Sequence, residues 1–329
     1  MRVGVVGGGS WGTALAIHLA RAGADVRMWA REPEVAEGLA RSHRNPIYLT
    51  DIECPARLTA TTDHVNALQG AELILVVVPS EFVAATLKDL PPIPAAVPVV
   101  SATKGLDPHR HVRMTELVAE RFPAAPIAAL SGPTFAREVA LGQPTAAVIA
   151  SRDEVLARRL QGWLGNREFR LYTNRDVIGV EMGGALKNVI AVATGIADGL
   201  GLGENARAAL VTRGLAELTR LAVALGAQPA TLAGLAGMGD LVLTCTGTLS
   251  RNRALGMALA KGQSRDAVEG RTRMIAEGAR TVSSALALAA RLGVNLPICA
   301  EVGAVLFQGK SPGDALAALL GRAARPEDA

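Results

Sequence analysis

The sequence is poor in aromatic side chains, in cysteine and in runs of like charge, and each shortage narrows what the protein can be. Phe, Trp and Tyr make up 3% of the 329 residues. That is too few for the stacking platforms that grip single-stranded nucleic acid, and the basic residues are scattered instead of gathered into a stripe, so nucleic acid is not an expected partner. The three cysteines, Cys54, Cys245 and Cys299, are odd in number, far apart and without histidines at metal-ligand spacing. This argues against a disulfide framework or a zinc site, and the expectation is reduced thiols and no metal. No apolar run reaches the length of a membrane span, and the chain opens on an apolar strand instead of a secretory signal. A cytoplasmic protein with no membrane insertion is expected. What remains is a chain with 50% hydrophobic residues and a formal charge of +4. It has ample core for two domains and a mild attraction for an anionic metabolite.

Glycine, by contrast, is abundant, with 35 residues, and its placement at the start is informative. Met1-Arg-Val-Gly-Val-Val is an apolar β-branched run that meets Gly7-x-Gly9-x-x-Gly12 and passes directly into a helical pattern. Strand, glycine turn and helix in that order form a phosphate cradle. Gly7 permits the tight turn, Gly9 lets backbone amides approach a pyrophosphate, and Gly12 allows strand and helix to pack closely. A second strand, Ala24 to Trp29, leads to Arg31 where a dinucleotide-binding fold often carries an acid. A guanidinium there suits a ribose phosphate and hence NADP, although an exposed arginine before Glu32-Pro33 is the plainer reading. Glu32 leaves use of both NAD and NADP open.

Short apolar runs then alternate with helical patterns at Val3–Val6, Val26–Trp29, Leu73–Val78, Val97–Ser101, Ile127–Leu130 and Ala146–Ile149, with Phe169–Tyr172 as a last candidate. Alternation of this kind predicts an α/β fold, a Rossmann-type, mostly parallel sheet. After about Asp176 alanine, leucine and glycine dominate in long helical stretches. The expected organisation is a dinucleotide-binding domain over residues 1–178 and an all-helical domain, for substrate and catalysis, over 179–329, with a frayed tail from Arg322 to Ala329. In open parallel sheets ligands gather where strands end. Three such exits look chemical: Pro79-Ser80, Ser101-Ala-Thr-Lys104-Gly105, and Ser131-Gly132-Pro-Thr134-Phe-Ala136. Lys104 reads as a lone cation suited to an anionic or carbonyl substrate, or as a solvated loop lysine.

Two stretches of the helical half stand out. In Glu181-Met-Gly183-Gly184-Ala-Leu-Lys187-Asn188, one helix face carries Gly183, Gly184, Lys187, Ala191 and Thr194. Two adjacent glycines cost roughly 1 kcal/mol each relative to alanine, so something must approach that face closely. Tight helix packing is the simple explanation. A lysine desolvated there has its pKa lowered and becomes a usable proton donor or acceptor. The second stretch runs from Gly237-Met-Gly239-Asp240 to Ser250-Arg251-Asn252-Arg253. Ser250 is a good N-cap, and Arg251 and Asn252 then occupy a first helical turn whose amides favour a phosphate, unless this is an ordinary capped surface helix.

Taken together, Gly7 to Ala14, Ser101 to Leu106, Ser131 to Ala136, Glu181 to Asn188, Gly237 to Thr244, Ser250-Arg251-Asn252 and Ala276-Glu277-Gly278 closely resemble the bacterial NAD(P)-dependent glycerol-3-phosphate dehydrogenases. The resemblance covers nearly the whole chain. It implies an oxidoreductase that interconverts dihydroxyacetone phosphate and sn-glycerol 3-phosphate for glycerophospholipid synthesis, using NADP or NAD, and a homodimer. Carried over residue by residue, it makes Lys187 the catalytic acid and base. It places Lys104, Gly132, Thr134, Lys187, Asp240, Ser250, Arg251 and Asn252 at the phosphorylated three-carbon substrate. Toward the dinucleotide it adds Ser10, Trp11, Arg31, Lys104, Ala136, Arg251, Ile275 and Glu277 to the three glycines. Thr134 and Gly247 stand where the family commonly has serine, and Ala276 where it has valine. Two other readings compete: a two-domain β-hydroxyacid dehydrogenase, which would need carboxylate recognition, and a noncatalytic NAD(P)H-binding redox sensor, which would not need Lys104, Lys187 and Asp240 together.

Overall fold

The computed structural model describes residues 1–269, 277–324 and 326; Ile275, Ala276 and most of the last five residues lie outside them. Eight strands form one sheet: β1 Arg2–Val6, β2 Asp25–Trp29, β3 Leu58–Thr61, β4 Leu73–Val76, β5 Val99–Ser101, β6 Ile127–Ser131, β7 Thr145–Ala150 and β8 Phe169–Asn174. Their order is β3-β2-β1-β4-β5-β6-β7-β8. Neighbours are parallel except β6 and β7, which run antiparallel. Buried on both faces, the central strands are continuous apolar runs whose side chains alternate between two cores. Val3 and Val5 join one with Leu73 and Leu75, while Val6 joins the other with Ile74 and Val76.

From β1 the chain builds outward to β2 and β3 on one side, then returns to β4 and builds to the other. That reversal opens a crevice beyond the carboxyl ends of β1 and β4, the usual ligand position in such sheets.

The structure departs from the sequence reading in several strands. β3, Leu-Thr-Ala-Thr, was not expected; it is an edge strand in which only Leu58 is buried, so it lacks the apolar signature of its neighbours. β4 ends at Val76, two residues short of the apolar run, although Val77 N still donates to Val6 O at 2.8 Å. β5 begins at Val99 instead of Val97. Conversely, β6, β7 and β8 each run past the expected ends, to Ser131, Ala150 and Asn174.

Beyond β8 every regular element among the described residues is helical. The long helix Val177–Gly199 is capped by Asp176, whose carboxylate accepts from Gly179 N and, 52 residues away, from Gln228 N, both at 2.8 Å. Residues Gly179 to Ala197 of this helix are all buried, because helices Glu204–Ala224, Asp240–Thr246, Arg251–Ala260 and Gly278–Leu292 surround it. It is the one described helix long and apolar enough to cross a membrane, yet 89% of that apolar window is inside the fold. That is the condition of a core helix.

Its glycines are contact points. A Cβ on Gly195 would lie 2.1 Å from Arg253 O, and one on Gly256 of the crossing helix would lie 2.1 Å from Val192 O. The two backbones therefore touch where they cross, and neither helix tolerates a methyl group there. Near the start of the long helix, Glu181 ties the halves together. Its carboxylate accepts from Arg113 Nη1 at 2.7 Å, Thr115 N at 2.8 Å and Thr115 Oγ1 at 2.5 Å. Burial raises the Glu181 pKa, and Arg113 opposes that rise.

Two glycine substitutions separate packing from propensity. Gly256→Ala is expected to destabilise the protein by about 3 kcal/mol through overpacking. Gly162→Ala, on helix Glu154–Leu164 with no atom within 4 Å of the new methyl, is expected to stabilise by about 0.5–1 kcal/mol. Thermal denaturation checks both, and equal melting temperatures for the two variants would contradict the backbone contact.

Candidate active site

The glycine turn has the geometry of a phosphate cradle. Gly7 sits at φ +132°, and a Cβ there would lie 2.7 Å from Val77 O; one on Gly12 would lie 1.9 Å from Gly7 O. Gly9 differs, because its Cβ direction meets nothing within 4 Å. Open space therefore lies over the N-terminus of helix Ser10–Arg21, where the helix dipole favours an anion, and the turn fits a pyrophosphate. A brace not anticipated from the sequence holds it. Buried Asn45 donates to Gly8 O at 2.9 Å and to Thr13 Oγ1 at 2.8 Å, and its Oδ1 accepts from Ile47 N and Tyr48 N. Trp11 Nε1 reaches across to Ala102 O at 3.1 Å, pinning the first helical turn to the exit of β5.

Across the crevice, Asp240 lies between two lysines. Its side chain is fully buried. Oδ2 accepts from Lys104 Nζ at 2.8 Å, and Oδ1 accepts from Lys187 Nζ in a still shorter contact. Lys104 is therefore not the lone cation suggested by its surroundings in sequence. Its ammonium donates also to Gly132 O at 2.8 Å and Thr134 Oγ1 at 3.1 Å, so all three of its hydrogens have acceptors within the chain. The carboxylate that pairs it comes from a residue 136 positions away, which no local spacing reveals. Lys187 donates to Thr244 Oγ1 at 2.8 Å, and that hydroxyl donates to Asp240 O at 2.6 Å. Two of the three bonding directions of Lys187 Nζ are thus fixed, and the third has no partner among the described residues. Burial lowers the Lys187 pKa to about 8; Asp240 works against the fall and Lys104 adds to it.

The small helix face is explained by protein neighbours. A Cβ on Gly183 would meet Ala236 O at 2.5 Å, and one on Gly184 would meet Ser131 Oγ at 2.4 Å. The close approach expected there is therefore made by a π-helical turn, Leu235–Gly239, and by the end of β6. That π turn leads directly into Asp240, and such turns are frequent at functional sites. Gly132, at φ +142°, lets the β6 exit pass so close that a Cβ would lie 2.9 Å from Ala147 Cα, which carries Thr134 toward Lys104. Ala136 opens the short helix Ala136–Ala140 beyond it.

Ser250 caps helix Arg251–Ala260, its hydroxyl accepting from Arg253 N at 3.2 Å. Arg251 is exposed and makes no hydrogen bond or ion pair among the described residues. Asn252 instead turns inward, donating to Asn188 Oδ1 and accepting from Gly278 N, both at 2.9 Å. Its side chain locks the turn to two other helices. Glu277 accepts from Ser80 N at 3.5 Å, with its pKa raised by burial against the pull of Arg251. Ile275 lies outside the described residues. Among the described residues no group of three or more His, Cys, Asp or Glu side chains could hold a metal ion.

Comparisons with known proteins converge. Residues 2–157 match the family model for the N-terminus of NAD-dependent glycerol-3-phosphate dehydrogenase, and residues 176–317 match that for its C-terminus. The chain is 50% identical to the glycerol-3-phosphate dehydrogenase [NAD(P)+] of Koribacter versatilis, over 99% of this chain and 98% of that one. It is 49% identical to the enzyme of the same name from Rhodospirillum rubrum, over 99% and 93%. The crystal structure of glycerol-3-phosphate dehydrogenase from Coxiella burnetii superposes with a TM-score of 0.92 at 39% identity, covering 98% of this chain and 99% of that one. A ketopantoate reductase from Ralstonia eutropha, at 18% identity and a TM-score of 0.66, shares the fold.

Asp240→Asn tests the shared carboxylate. Removing one partner of a buried ion pair costs about 3–5 kcal/mol. Lys187 has a folded pKa below its ordinary 10.5, so between about 8 and 10.5 the unfolded chain binds more protons and stability rises with pH. In the variant that window extends to lower pH. Its penalty, measured by denaturant unfolding, is expected to be larger at pH 7 than above pH 8; a penalty independent of pH would contradict the pairing.

Proposed function

The chain belongs to the NAD-dependent glycerol-3-phosphate dehydrogenase family, and on that premise we propose that Lys187 is its acid and base, held by Asp240 and Thr244. The protein is an oxidoreductase that interconverts dihydroxyacetone phosphate and sn-glycerol 3-phosphate with NAD(P). When bound, the nicotinamide supplies the hydride to the ketone carbon, or takes it up in the reverse direction. The buried Lys187 with its single uncommitted direction is the observation that carries the reading. Protonated, Lys187 gives a proton to the oxygen that becomes the C2 hydroxyl; neutral, it removes that proton during oxidation. A pKa near 8 makes both forms accessible near neutrality.

The substrate phosphate would rest at the start of helix Arg251–Ala260. Arg251 supplies an exposed guanidinium, the backbone supplies amides, and Ser250 and Asn252 fix the turn. Gly132, Thr134 and Lys104 would line the other side of the three-carbon chain, with Asp240 beneath. Lys104 is fully bonded within the chain, so it reaches a ligand only by exchanging Thr134 or Gly132 as an acceptor. Toward the dinucleotide, Gly7, Gly9, Ser10, Trp11 and Gly12 form the cradle. Arg31, Lys104, Ala136, Arg251, Ile275 and Glu277 complete the contacts. The division at residue 178 into a dinucleotide-binding part and a helical substrate part belongs to the same reading, as do a cytoplasmic location, a homodimer and supply of glycerophospholipid synthesis.

Lys187→Ala is expected to lower kcat for dihydroxyacetone phosphate reduction by about 10³-fold or more, toward the upper end of what a positioned proton donor contributes. NADPH affinity should stay within about threefold, since the cradle is untouched. In the parent enzyme, kcat for reduction should fall above about pH 8 and kcat for oxidation should rise toward that pH, following the Lys187 pKa of about 8. Full activity in the variant would refute the assignment.

A further inference from the structure

Asp198 and Arg253 each stand at the unfavourable end of a helix. Asp198 lies in the last turn of the long helix Val177–Gly199, and Arg253 in the first turn of helix Arg251–Ala260. An acid at a helix C-terminus and a base at an N-terminus both oppose the helix dipole. Here they meet each other, Asp198 Oδ2 accepting from Arg253 Nε at 2.6 Å. Asp198 Oδ1 accepts from a second arginine, Arg207 of helix Glu204–Ala224, through Nε at 2.9 Å and Nη2 at 2.6 Å. The Asp198 side chain is 5% exposed. This is a junction of three helices, unlike an exposed ion pair, whose contribution would be small.

The two helices joined by Asp198 and Arg253 need such a tie. They run the same way side by side, with Asn252 bonded to Asn188 and a Cβ on Gly199 only 2.6 Å from the Ala260 Cβ. At their closest points, Gly195 against Arg253 O and Gly256 against Val192 O, glycine meets backbone. Such contacts give ridges and grooves little hold on how far one helix slides along the other, so polar ties must set it. The start of helix Arg251–Ala260 carries the exposed Arg251 and the first-turn amides. Their height along the long helix sets their separation from Lys187, which precedes Asp198 by roughly 16 Å at about 1.5 Å per residue.

We propose that Asp198 is a positioning residue for the substrate phosphate. It acts through Arg253, holding the first turn of helix Arg251–Ala260 in register with Lys187, while Arg207 holds Asp198 itself. The proposal rests on the reading that the phosphate sits at that turn. Misplacing a ligand-holding group by about 1 Å can cost up to about a hundredfold in rate. Here the groups displaced are those that grip the phosphate, so the loss falls on KM for the phosphorylated substrate.

The test is steady-state reduction of dihydroxyacetone phosphate by the full chain and its variants, with NADPH affinity measured separately by fluorescence titration. Arg253→Gln leaves Asp198 paired with Arg207, and so removes the tie without stranding a buried charge. It should raise KM for dihydroxyacetone phosphate about tenfold, with kcat and NADPH affinity within about twofold. Asp198→Asn should do the same, and in the Arg253→Gln background it should raise KM no further, because it acts through that arginine. A role in stability alone would reduce the folded fraction, and hence the apparent kcat, at unchanged KM. Arg251→Gln should raise KM more than either. If Arg251→Gln raises KM but Arg253→Gln leaves it unchanged or lowers it, the role of Asp198 is overturned alone; the same holds if the effects of Asp198→Asn and Arg253→Gln simply add. If Arg251→Gln leaves KM unchanged, the phosphate does not sit at this turn, and the proposal falls with that reading.

Discussion

One buried carboxylate, Asp240, faces two ammonium groups drawn from opposite halves of the chain. Lys104 comes from the exit of β5 and Lys187 from the middle of the long core helix, and each takes one of its oxygens. A carboxylate with no exposure would be costly without such partners, and two lysines this close would repel without the carboxylate. The triad therefore holds only if both halves are assembled in register. Much of the surrounding structure serves that end. The π turn Leu235–Gly239 delivers Asp240, the glycine at 183 lets that turn approach, and the Glu181–Arg113 pair fixes the long helix against the first half.

The electrostatic result is a lysine tuned by opposing influences. Burial pulls the Lys187 pKa down, Asp240 lifts it, and the second ammonium lowers it again, leaving it at about 8. Acid and base work in two directions on a ketone and an alcohol needs a group that can hold or release a proton near neutrality. The Thr244 hydroxyl adds direction to that tuning. It accepts from Lys187 and spends its own hydrogen on Asp240 O, so the remaining position on Nζ has one orientation.

Much of the fold could be read from sequence because its strongest signals are local. Parallel strands buried on both faces leave uninterrupted β-branched runs, and the Gly7 to Gly12 turn is contiguous with the strand and helix it joins. β3 escaped because an edge strand with one buried residue has no such run. The site was legible as residue types at strand exits and on one helix face, and the Ser250 cap behaves as its sequence implied. Its wiring was not legible. Asn45 braces Gly8 from 37 residues away, Lys104 meets Asp240 from 136 away, and Asn252 meets Asn188 from 64 away. The small residues beside Lys187 suggested a close approach correctly but not its source, since a glycine that admits a ligand and one that admits another backbone look the same in sequence.

The most direct measurement is the titration of the Lys187 ammonium itself, followed by NMR of lysine labelled with ¹³C at Cε, the resonance being assigned by its loss in Lys187→Arg. A midpoint near 8 is expected. A midpoint near the ordinary lysine value would contradict this, because the buried ammonium would then be too weak an acid to release its proton near neutrality.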